Sequence, residues 1–82
     1  MTHVLTLDVL FLNKPGVLMR TIAIVSALGC NIASASVKPD PSRPGVTHMR
    51  LVTNAEKRLH RRIVEQMNSK PDVLLARDVT PC

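Results

Sequence analysis

Among the 82 residues, the side chains able to do acid–base, nucleophilic or metal chemistry are few and scattered. The histidines are His3, His48 and His60. Of these only His60 has a possible co-ligand at helical spacing, Glu56, and two ligands do not make a zinc site. The pair reads as a solvated helix face. Ser34 and Ser36 flank Ala35, yet no His–Asp pair stands out to activate either hydroxyl. Asp8, Asp40, Asp72 and Asp78 sit singly at strand ends or in loops. Cys30 and Cys82 form neither a CxxC pair nor a disulfide framework, so Cys30 reads as a small buried hydrophobe and Cys82 as a frayed end. No enzyme site is expected.

Backbone chemistry is more promising, at two turns. Asn13-Lys14-Pro15-Gly16-Val17-Leu18 separates two apolar segments. Proline pre-sets the backbone for a first helical turn, and glycine admits conformations or close approaches that a side chain would block. A helix N-terminus also offers unpaired N–H groups to an anion such as a carboxylate. Taken alone, the stretch reads first as a plain strand-to-helix turn. The second turn is Gly29-Cys30-Asn31-Ile32.

The elements that must position these turns follow from periodicity. Residues 4–12 alternate Leu5, Leu7, Val9 and Phe11 against Val4, Thr6, Asp8 and Leu10, a strand with one apolar face and one mixed face. A mixed face carrying Val4, Leu10 and Leu12 suggests pairing with a second copy. Residues 15–28 read as a helix with Leu18, Met19, Ile22, Val25 and Leu28 as its apolar positions and Gly29 as its cap. Residues 31–38 form a second strand, and three prolines and a glycine in residues 39–45 make a hairpin loop. Residues 46–53 alternate again, with Met49, Leu51 and Thr53 opposing His48, Arg50 and Val52. Asn54 is the expected N-cap of a helix over 55–69, whose stripe is Leu59, Ile63 and Met67 with Val64 beside it. Residues 72–79 complete the set after Pro71. The order β-α-β-β-α-β predicts one α+β domain over residues 1–82. It would be a ferredoxin-like βαββαβ sandwich, a four-stranded antiparallel sheet with two helices on one face.

In that arrangement the two turns lie at opposite ends of the first helix, and one chain cannot easily close a pocket from both. Two chains pairing side by side through the second strand could bring one Asn13–Leu18 turn to the partner's Asn31 and Ile32.

Bulk properties weigh against other classes, with a basic nucleic-acid-binding βαββαβ domain left as the less favoured alternative. The formal charge is +5, and 45% of the residues are hydrophobic. Phe11 is the sole aromatic residue, whereas RNA-binding βαββαβ domains stack bases on aromatics of the central strands. The basic residues Lys57, Arg58, Arg61 and Arg62 read as a solvated face, with an acidic protein next and phosphate contact only non-specific. No run of about 18 apolar residues would span a membrane. The start lacks a signal-peptide pattern, so a reduced, cytoplasmic setting is expected.

The pattern N-x-P-G-V-L at residues 13–18, followed by G-C-N-I-A-S at 29–34, resembles the ACT domain, a regulatory module that senses amino acids. Within that family the chain looks most like the small, regulatory subunits of acetolactate synthase. The segments VKPDPSRPGVTHMRLVTN, EKRLHRRIVEQMNSKPDV and DVLLARDVT extend the likeness from about Val4 to Thr80. The resemblance implies that a branched-chain amino acid, usually valine, binds between two ACT domains. Asn13 and the backbone of Gly16 and Val17 would hold its amino and carboxylate groups. Pro15 and Leu18 would complete the loop, and Asn31 and Ile32 would come from the partner chain. It also implies docking on a catalytic subunit, to activate it and confer end-product inhibition. Thiamine diphosphate, magnesium and, where present, FAD would belong to that partner, and this chain would have no cofactor of its own. The Pro15 and Val17 positions also match the serine-binding ACT domain of phosphoglycerate dehydrogenase, leaving serine as an alternative effector. The second reading is a free-standing or differently partnered ACT domain. Cys30 stands where an aromatic or another apolar residue is common.

Overall fold

The period-two apolar pattern of the first segment is realised as β1 (Thr2–Leu12), a central strand of the sheet, in a computed structural model that describes residues 2–81. Leu5, Leu7, Val9 and Phe11 are buried, whereas Val4 on the other face is 51% exposed. The further elements are α1 (Val17–Ala27), β2 (Asn31–Pro39), β3 (Val46–Glu56), α2 (Lys57–Asn68) and β4 (Val73–Asp78). The strands form one antiparallel sheet in the order β2-β3-β1-β4. This is the ferredoxin-like βαββαβ arrangement the sequence predicts. The core lies between the sheet and its two helices, where Leu5, Leu7, Val9, Met49 and Leu51 meet Val17, Val25, Ile63 and Met67. Cys30 is buried in the same cluster, as expected. The Cys82 expectation lies outside the described residues.

Several boundaries differ from the sequence reading, each for a local reason. Helix α1 begins at Val17 rather than residue 15, because Gly16 sits at φ +81°, a left-handed conformation outside the helical region. It ends at Ala27, with Leu28 as its cap and Gly29 at φ +80° just beyond. Its buried face is Val17, Thr21 and Val25, rotated from the expected Leu18–Ile22–Val25 stripe, and Met19 is 68% exposed. Thr21 is tolerated inside because its hydroxyl donates back to the carbonyl of Val17 at 3.0 Å or Leu18 at 2.7 Å. Asn54 does not cap α2. The β1 strand starts earlier than expected, so β3 continues to pair through Asn54, Ala55 and Glu56, and the helix starts at Lys57. Pro39, expected in the loop, ends β2. That strand is at the sheet edge, where a missing N–H removes no necessary ladder bond. β4 is shorter than residues 72–79 and α2 ends at Asn68.

A bulge near the start of β2 decides which of its side chains share a face. Ile32 opposes Thr53 and Ser34 opposes Val52, so Ala33 is the extra residue. The insertion resets the period, placing Ile32, Ala35 and Val37 on the helix side and Ser34, Ser36 and Lys38 on the open side. No helix of the described residues is long and apolar enough to cross a membrane.

Candidate functional site

The turn at residues 13–16 is tied down by two distant parts of the chain, Gly45 and Asp72, and by bonds of its own. As β1 ends, the Leu12 N–H donates to the Asp72 carbonyl at 2.9 Å and the Asn13 N–H to the Gly45 carbonyl at 2.8 Å. Lys14 N–H then turns back to Leu12 O at 2.8 Å, and Val17 N–H reaches Lys14 O at 3.2 Å, closing the bend that Pro15 and Gly16 form. The Asp72 carboxylate gathers both basic side chains of the region, Lys14 Nζ at 3.4 Å and Arg20 Nη2 at 3.2 Å. The loop is therefore exposed yet anchored.

Gly16 is required twice over. Its φ of +81° is strained for any residue with a Cβ, and an added Cβ would stand 3.0 Å from Arg20 Nη1. Beyond it, α1 starts without a side-chain cap and without an acidic residue in its first turn. With the Val17 N–H spent on Lys14 O, the next amides, those of Leu18 and Met19, and the positive end of the dipole face the loop, an arrangement that favours a carboxylate. Asn13, Pro15 and Gly16 are exposed, Leu18 is half-buried and Val17 is buried in the core. Asn13 can offer both an amide donor and a carbonyl acceptor.

Asn31 and Ile32 open β2, at the other end of the 11-residue helix α1, about 16 Å away by helix rise. The structure therefore separates the two halves of the predicted site within one chain. The Asn31 carbonyl accepts from the buried Thr53 hydroxyl at 2.5 Å, fixing the strand start, while both Asn31 and Ile32 are exposed. All nine residues of β2 are exposed, and among the described residues its outer edge has no neighbouring strand.

Other candidates are engaged in ordinary ways. Glu56 pairs with Arg58 at 2.7 Å and is held below its usual carboxylate range by that guanidinium, while the His60 ring lies 3.1 Å from the Ala55 carbonyl. Among the described residues no three His, Cys, Asp or Glu side chains converge as a metal site. Burial pushes the Cys30 thiol up, away from the reactive thiolate. Sequence reasoning missed the Lys14–Asp72–Arg20 cluster, whose partners are distant in the chain. The nearest signal was an acid placed directly after Pro71, at the start of β4.

Known proteins share this fold. Residues 7–75 match the pattern of the AHAS small subunit-like ACT domain. A probable acetolactate synthase small subunit from Methanothermobacter thermautotrophicus is 31% identical over 80 residues, covering 98% of this chain and 46% of the relative. Among solved structures, the acetolactate synthase small subunit of Thermotoga maritima superposes with a TM-score of 0.83 at 22% identity, over 96% of this chain and 48% of that one. The ACT domain of a GTP pyrophosphokinase from Chlorobium tepidum gives 0.79 at 10% identity, over 96% and 100%. The chain thus spans about half the length of the two small subunits it resembles.

Proposed function

The chain belongs to the AHAS small subunit-like ACT domain family, and on that premise we propose that it is a regulatory domain that binds a branched-chain amino acid between two copies of itself. The observation that carries this reading is the direction of the free edge strand. β2 runs from Asn31 to Pro39, and Pro39 opposes Thr47, which itself opposes Phe11 close to the Asn13 turn. Two β2 edges paired antiparallel about a two-fold axis would set the start of one strand beside the end of the other. Asn31 and Ile32 of the partner chain would then approach the 13–18 turn. Antiparallel pairing also satisfies the open backbone edge and covers Ile32 and Val37, which are 38% and 45% exposed.

In this pocket Asn13 and the Gly16 and Val17 backbone hold the ligand's amino and carboxylate groups, with Pro15 and Leu18 shaping the loop. Ile32 of the partner chain offers an aliphatic surface to the ligand side chain. The chain acts as a regulatory subunit without a catalytic site of its own. The dimer docks on the catalytic subunit of acetolactate synthase, raises its activity and makes it sensitive to the end product. Thiamine-dependent chemistry stays with that partner.

Thermal unfolding with valine, leucine, isoleucine and serine tests the reading. A ligand at about 100 times its Kd stabilises the folded form by about 2.7 kcal/mol, which for a domain of this size raises Tm by roughly 10 °C or more. A response to serine alone would replace the branched-chain ligand, and no response to any of the four at millimolar concentration would overturn the sensor reading.

A further inference from the structure

The face of the sheet away from the helices carries a charged row that the amino-acid site does not use. Ser36 opposes Arg50 across β2 and β3, Arg50 opposes Asp8, and Asp8 opposes Arg77. In the next row Lys38 opposes His48. Ser36, Lys38, His48 and Arg50 together line a depression of about 270 Å³. Cross-strand neighbours stand about 5 Å apart and alternate residues of one strand about 7 Å apart. The four side chains therefore mark the corners of a small rectangle on rigid backbone.

The depression is cationic despite the nearby carboxylate. Asp8 accepts from Arg50 Nε at 2.7 Å and Nη2 at 2.8 Å, which fixes the guanidinium and leaves Nη1 without a carboxylate partner. His48 Nε2 lies 3.8 Å from the same carboxylate, and Arg77 faces it from β4. One acid is thus shared among three basic groups, and Lys38 is unpaired among the described residues. A lysine on an edge strand would by itself serve only to discourage strand addition. Here it closes a rectangle with a hydroxyl, an imidazole and a guanidinium.

The basic face of α2 provides the contrast. There Arg58 is paired with Glu56 and Arg61 with Glu65, so two of the four basic side chains are engaged, and all four stand on the open surface of one helix with no cross-strand neighbour to fix them. A carboxylate has two oxygens and spans at most two corners of the β2–β3 rectangle, whereas a tetrahedral oxyanion presents oxygens to several, directly or through water.

We propose that Ser36, Lys38, His48 and Arg50 form a binding site for a phosphate group, free or carried by a small phosphomonoester, on the open face of the sheet. The site is independent of the amino-acid pocket, and pairing of β2 edges leaves it uncovered because its side chains point from the face.

The test is a titration of the labelled protein with inorganic phosphate, glycerol 3-phosphate and acetate at constant ionic strength, followed by amide chemical shifts. The amides of Ser36, Lys38, His48 and Arg50 are expected to move along saturating curves in the low millimolar range with either phosphate compound, while those of Arg58, Arg61 and Arg62 stay still. Whichever phosphate compound binds tighter identifies the source. The paired change Ser36→Ala with Lys38→Gln should weaken binding at least about tenfold, a difference of 1.4 kcal/mol. Asp8→Asn, which removes the competing acid, should tighten it several-fold, a gain that a damaged fold would not produce. No shift at the strand residues, equal movement of the α2 arginines, acetate binding as tightly as phosphate, or unchanged affinity in Asp8→Asn would each overturn the proposal.

Discussion

Replacing Gly16 by alanine probes the turn on which the candidate site depends, and its cost can be worked from the structure. At φ +81° a Cβ meets its own backbone unfavourably, at about 1–2 kcal/mol for an L-residue in the left-handed region. The same Cβ would stand 3.0 Å from Arg20 Nη1, so the guanidinium must shift and its ion pair with Asp72 at 3.2 Å weakens. That pair is exposed, at 62% for the arginine side chain and 24% for the aspartate, so its loss adds no more than about 1 kcal/mol. Gly29 is an internal control. It has φ +80° with nothing within 4 Å of the added Cβ, so Gly29→Ala isolates the backbone cost. Chemical denaturation at one fixed protein concentration should give a loss of about 1–2 kcal/mol for Gly29→Ala and up to about 1 kcal/mol more for Gly16→Ala. In an Arg20→Met background the difference between the two should vanish, because the crowded group is gone. A Gly16→Ala protein as stable as the parent would refute the left-handed turn. A difference that persists without Arg20 would refute the close approach.

Two more outcomes are expected, one from the core and one from the charged row. Met67 is fully buried between α2 and the sheet, so Met67→Ala should cost about 2–5 kcal/mol in denaturant unfolding, and a loss below about 1 kcal/mol would mean the helix does not pack as described. The Arg50 guanidinium holds the Asp8 carboxyl below its ordinary value of 3.8, against a smaller opposing effect of burial. A carboxyl with a lowered folded pKa contributes stability above its unfolded value and loses it as pH falls through the folded one. Asp8→Asn should therefore destabilise the protein at pH 7 and progressively less below about pH 4, and an equal loss at pH 7 and pH 2 would contradict the ion pair.

The element order and the core strands were legible in the sequence because β1 and β3 alternate cleanly, and burial of Leu5, Leu7, Val9, Phe11, Met49 and Leu51 follows that alternation. The face of α1 was not, because which side turns inward depends on where Gly16 releases the chain, and a φ value cannot be read from apolar spacing. The start of α2 was hidden for a different reason. Asn54 is a good cap locally, but ladder pairing with Val4 keeps it in β3, and a pairing partner some fifty residues away leaves no mark on local propensity. The bulge at Ala33 was equally invisible, yet it decides that Ser34, Ser36 and Lys38 share the open face with Arg50. In the candidate site, the tether from Asp72 to Lys14 and Arg20 was also hidden, because it joins the start of β4 to the first turn through space alone. The separation of the two turns by α1 was readable, since it needs only the length of the helix.

The claim that the pocket is built from two chains has a direct test in subunit complementation, read by calorimetry with the amino acid that stabilises the wild type. Asn13→Ala and Asn31→Ala homodimers should each fail to bind, because every pocket lacks one asparagine. In a mixed dimer one pocket carries both substitutions and the other carries none. Random mixing of the two variants should therefore restore wild-type affinity at about a quarter of the wild-type stoichiometry. A mixture that binds no better than the separate variants would contradict a pocket shared across β2.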